Sequence, residues 1–98
     1  GIYTSTKYAC TSGTTATATM LVRHDATATE QIGLRLFFQG SGTNVYYQVT
    51  LVMSSGTVGA GGSATKTAHS AVRIGDYWHL RIVANSLISG NDEVDVRY

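Results

Sequence analysis

"IGDYWHLRIVA", Ile74 to Ala84, crowds two aromatic rings, a histidine and an arginine into one short apolar run. Side chains alternate along a strand, which puts Trp78, Leu80, Ile82 and Ala84 on one face and Tyr77, His79, Arg81 and Val83 on the other. The tryptophan face is the more apolar. Trp78 is therefore expected to anchor the core, its indole N–H bonded to a partner, while Tyr77, His79 and Arg81 are expected to point outward.

Working outward from this run, the same period recurs along the chain. In "ATATMLVRH" (16–24), Ala18, Met20 and Val22 alternate with Thr17, Thr19 and Arg23, and the first set is expected to face the core. In "QIGLRLFFQ" (31–39), Leu34, Leu36 and Phe38 oppose Arg35, Phe37 and Gln39. In "NVYYQVTLVM" (44–53), Val45, Tyr47, Val49, Leu51 and Met53 form one stripe, and Tyr46, Gln48, Thr50 and Val52 the other. Further strands are expected over 2–10, 64–74 and 92–98, the last alternating Val94, Val96 and Tyr98 with Glu93, Asp95 and Arg97. "GSGT" (40–43) reads as a hairpin connection, and the glycine-rich "SSGTVGAGGSAT" (54–65) as a long connection between two sheets. No window carries a helical stripe. Seven short strands separated by Gly, Ser and Thr segments predict an all-β fold, an antiparallel β-sandwich of jelly-roll type, with residues 1–98 forming a single domain.

Composition narrows the function classes. Charged residues are 13% and the net charge is +1, which gives no electrostatic footprint for nucleic acid or an anionic membrane. No apolar run is long enough to span a bilayer as a helix. The chain opens on a strand-like run without Met, so a fragment of a larger protein is expected. Cys10 is the single cysteine, which excludes an internal disulfide, favours folding in a reducing compartment, and leaves Cys10 as a small packed side chain.

The order of elements resembles the carbohydrate-binding-module-like jelly-roll domains of bacteriophage tail fibres, tailspikes and other virion proteins. The likeness rests on Tyr3, Thr4, Ser5 and Tyr8 in the opening strand, on Gly56, Thr57, Val58 and Gly59 after a central strand, and on Gly75 with Trp78. His79 and Leu80 stand where that pattern commonly has Tyr and Arg. The resemblance implies a noncatalytic, lectin-like or structural module of a virion, assembled in the host cytoplasm, with carbohydrate and other virion subunits as partners, a homotrimer among them.

A sugar-binding sheet stacks a pyranose on an aromatic ring and bonds its hydroxyls with a few placed polar groups. The candidates are Tyr77, His79 and Arg81, joined by Tyr46, Gln48 and Arg35 if those strands share one sheet. The bland alternative is a solvated face, or one covered through Phe37 by a neighbouring subunit. His24, His69 and His79 lack metal-ligand spacing. Asp92, Glu93 and Asp95 are the one set suited to a structural calcium, and no cofactor is otherwise expected. Asp25, Glu30 and Asp76 flank loops and strand starts, without the paired setting that glycoside hydrolysis needs, so no catalytic activity is expected. Two functions remain: a glycan-binding module contacting host-surface carbohydrate, or a purely structural module for oligomerisation and capsid or fibre assembly.

Overall fold

The computed structural model describes residues 3–98. Eight strands follow in order: β1 (Tyr8–Ala9), β2 (Ala16–Arg23), β3 (Gln31–Gln39), β4 (Val45–Val52), β5 (Thr57–Gly62), β6 (Thr65–Ile74), β7 (Tyr77–Asn85) and β8 (Glu93–Arg97). They form two antiparallel sheets, one ordered β1-β8-β3-β4-β5 and the other β2-β7-β6. The sheets pack face to face as a β-sandwich. Pairs β1–β8 and β2–β7 are nested as a rolled-up ribbon would nest them, whereas β3–β4–β5 is a meander within one sheet and β6–β7 a hairpin within the other. The strands therefore divide five and three.

The inward faces are those the alternation predicts. Leu34, Leu36 and Phe38 of β3, Val49 and Leu51 of β4, and Leu80, Ile82 and Ala84 of β7 are fully buried, with Ala18, Val45, Met53 and Val94 around them. Each Val, Leu, Ile, Met or Phe side chain among them contributes roughly 1.5–3 kcal/mol of transfer free energy, the driving force for closing the two sheets. Trp78 is half-buried against this cluster, and its indole Nε1 donates to His24 Nδ1 at 2.9 Å. At another edge Tyr47 and His69 share a hydrogen bond of 3.1 Å between the two sheets. His24 thus ties the end of β2 to β7 within one sheet, and His69 fastens that sheet to the other.

Two expectations are corrected. The glycine-rich stretch is not simply a connection, because Thr57–Gly62 pairs with β4 as the edge strand β5. The chain leaves that sheet only at Gly62, where φ is +122° and a Cβ would lie 2.2 Å from the Tyr46 carbonyl oxygen, so only glycine fits. The opening strand is mostly irregular. Tyr3 and Tyr98 exchange backbone hydrogen bonds of 2.7 and 3.0 Å, and Thr4 bridges Arg97, but regular pairing covers only Tyr8–Ala9. Thr4 opposes Arg97 while Tyr8 opposes Val94, so one extra residue separates the two pairings, as in a β-bulge. The expected start of that strand at Ile2 lies outside the described residues.

Candidate functional site

The six residues proposed from sequence fall on opposite outer faces of the sandwich. Tyr77, His79 and Arg81 lie on β7 in the three-stranded sheet. Arg35, Tyr46 and Gln48 lie on β3 and β4 in the five-stranded sheet. The joint constellation is therefore corrected to two separate triads, because the strand that carries "YWHLR" pairs with β2 and β6, not with β3 or β4.

The outer face of the five-stranded sheet is built in rows by its register. One row runs Arg97–Arg35–Gln48–Gly61 across β8, β3, β4 and β5, with Gly33–Thr50–Gly59 beside it. On the other flank lies Asp95–Phe37–Tyr46. Gly33 carries no side chain beside the central row, and Arg35, Arg97 and Gln48 stand along that row. A groove of about 360 Å³ results, lined by Tyr3, Thr4, Gly33, Leu34, Arg35, Gln48, Arg97 and Tyr98. That volume lies at the lower end of the roughly 300–1,000 Å³ of small-ligand sites.

The groove's polar groups are held in place. Arg35 Nη2 donates to Gln48 Oε1 at 2.8 Å, and the guanidinium carbon sits 4.3 Å from the centre of the Tyr46 ring. Arg97 lies 3.7 Å from the centre of the Phe37 ring. Its Nε donates to Asp95 Oδ1 at 2.7 Å and its Nη2 to Oδ2 at 3.2 Å, while Gln39 Nε2 also donates to Oδ2. Asp95 is itself 0% exposed, so Arg97 is fixed by a fork onto a buried carboxylate and by an aromatic face. At the groove's end Tyr3 and Tyr98 stack with ring centres 4.9 Å apart, and both remain exposed.

The other outer face is of different character. Leu21, His79 and Val72 form one row and Arg23, Tyr77 and Ile74 the next. Leu21, Val72 and Ile74 are each more than half exposed. Arg23 lies 5.8 Å from the centre of the Tyr77 ring. This face carries a shallow, mainly apolar depression of about 560 Å³ around His79, lined by Leu21, Val72 and Ile74, with Arg81 beside Ser70 and Thr19 in the following row.

Of the candidate calcium set, Asp95 is committed to Arg97 and Gln39. Among the described residues, no three His, Cys, Asp or Glu side chains are grouped to hold a metal ion, and no helix is long and apolar enough to cross a membrane.

Fold and groove together define an antiparallel β-sandwich with a polar-aromatic groove on its larger sheet. No protein-family model, curated protein or solved structure matches the chain. Six groove residues lay outside the sequence candidates: Tyr3, Thr4, Gly33, Leu34, Arg97 and Tyr98. Alternation with Val94 and Val96 already turned Arg97 outward, but nothing local tells that β8 lies beside β3 or that Tyr3 meets Tyr98.

Proposed function

We propose that this domain is a noncatalytic, lectin-like module of a phage virion or tail-fibre protein that contacts host-surface carbohydrate through the groove of the five-stranded sheet. The observation that carries the reading is that groove, where exposed tyrosine rings stand beside immobilised guanidinium and amide groups. A pyranose face stacks on Tyr98, and Arg35, Gln48 and Arg97 donate to its hydroxyls. The virion assignment rests on the resemblance carried by Tyr3, Thr4, Ser5, Tyr8, Gly56–Gly59, Gly75 and Trp78. The noncatalytic part of the reading is supported by a groove lining of guanidinium, amide and hydroxyl groups, a set suited to binding sugar hydroxyls.

A glycan array tests the proposal. Binding that is lost in Tyr98→Ala and Gln48→Ala but kept in Tyr77→Ala and His79→Ala supports it. Binding to no glycan at millimolar concentration by the folded protein rejects it.

The apolar outer face of the three-stranded sheet favours the second reading, a structural module of virion assembly. Exposed leucine, valine and isoleucine side chains in adjacent rows are what a subunit contact covers. On that reading the domain self-associates, and Ile74→Lys returns it to a monomer by light scattering. A wild-type domain that is monomeric at all concentrations counts against that reading.

A further inference from the structure

Arg35 and Arg97 are directly opposite one another on adjacent antiparallel strands, both facing outward and both lining the groove. Residues so placed have Cβ atoms about 5 Å apart, and two like charges there repel. Asp95 compensates one of them, and it is the only carboxylate among the described residues in an ion pair. Arg35 is held by a neutral amide and an aromatic face instead. The pair with its carboxylate thus carries one uncompensated positive charge at the groove wall. Arg35 spends one of its five N–H donors on Gln48, so further donors are free for a ligand. Gly33, in the neighbouring row, leaves room beside it: a Cβ there would meet nothing closer than the Val49 carbonyl oxygen at 3.4 Å.

From this geometry we infer that the groove selects an acidic saccharide, one whose carboxylate or sulfate lies against Arg35 and Arg97 while its ring stacks on Tyr98. The inference rests on the glycan-binding reading above and adds the charge of the ligand. A planar guanidinium fork matches an oxyanion's geometry, and an anion between the two arginines removes their repulsion as it binds. A neutral sugar gains the hydrogen bonds alone.

NMR titration at low ionic strength decides the matter, with methyl glucuronide, galactose 6-sulfate, methyl glucoside and sodium acetate as probes. The expected result is a dissociation constant about tenfold lower for one of the two acidic sugars than for methyl glucoside. Glucuronide and sulfate arms tell a carboxylate site from a sulfate site. The preference weakens with added salt, because the groove is open to solvent. Arg35→Gln erases the preference while the protein keeps a native spectrum, and Gly33→Ala weakens acidic and neutral sugars alike. Equal affinity for acidic and neutral sugars, or an unchanged preference in Arg35→Gln, overturns the acidic-ligand inference and leaves the glycan reading standing. Acetate binding with no sugar bound, or no binding at all, overturns both.

Discussion

Asp95 is the one buried charged residue among the described residues, a carboxylate without solvent exposure on the outward face of its strand. Arg97 meets that charge with two donors and Gln39 with a third. Removing the arginine leaves a buried charge short of partners. Arg97→Leu is therefore expected to lower unfolding stability by about 2 kcal/mol, the arginine's partial exposure keeping the loss below that of a fully buried pair. Urea denaturation checks this, and a loss within error of zero refutes it. Cys10 allows a second test. Burial, then the nearby Asp92 and Glu93 carboxylates, push its thiol up, and Sγ donates to the Asn91 carbonyl at 3.6 Å. Its thiolate fraction at pH 8 is below that of an unfolded cysteine, so alkylation by iodoacetamide is slower than for the urea-unfolded chain. An equal or faster rate in the native protein contradicts this. Asp25 behaves in the opposite sense. Hydrogen bonds from the Thr27 hydroxyl and backbone N–H hold its carboxyl below the usual range. That contribution is present at neutral pH and is lost as the pH falls through the lowered value.

At the scale of the element, β5 shows where sequence reading runs out. "TVGAGG" lacks the strand propensity of its neighbours, since glycine weakens strands and offers nothing to pack. Its pairing is decided instead by β4, whose backbone supplies the ladder from Val52 to Tyr47. The long central strands were legible because each alternates without a break. Leu34, Leu36 and Phe38, or Leu80, Ile82 and Ala84, admit one inward face only. The opening strand was less so, because the register slip before Tyr8 depends on β8 and leaves no local mark. The glycines of β5 are not equivalent, and that difference is measurable. Gly62→Ala drives a Cβ into the Tyr46 carbonyl at a φ that L residues rarely adopt, and is expected to cost about 2–3 kcal/mol or to prevent folding. Gly61→Ala meets nothing within 4 Å and is expected to change stability by less than about 1 kcal/mol. Equal effects of the two substitutions would contradict the assigned path of the chain.

Over the whole molecule, the two sheets give the sandwich two faces with different chemistry, and this division settles what the sequence left joined. Period two assigned Tyr46, Gln48, Arg35, Tyr77, His79 and Arg81 correctly as outward. It carried no information on which outward face each strand supplies, because sheet membership follows from strand order. That order is non-local: β1 pairs β8, and β2 pairs β7. A topology of this kind folds in milliseconds to seconds, since distant segments must meet before the ladders form. Stopped-flow refolding faster than about a millisecond would contradict it. The apolar face around Leu21, Val72 and Ile74 and the groove around Arg35 and Gln48 lie on different sheets. A contact through the first would therefore leave the second uncovered.

The central claim is that the groove of the five-stranded sheet is the ligand site. Amide chemical-shift mapping with the tightest-binding sugar of a glycan array tests it most directly. The account predicts that the perturbed amides cluster at Gly33, Arg35, Gln48, Arg97 and Tyr98. Perturbations centred on Tyr77, His79 and Arg81, or none at saturating sugar, would contradict it.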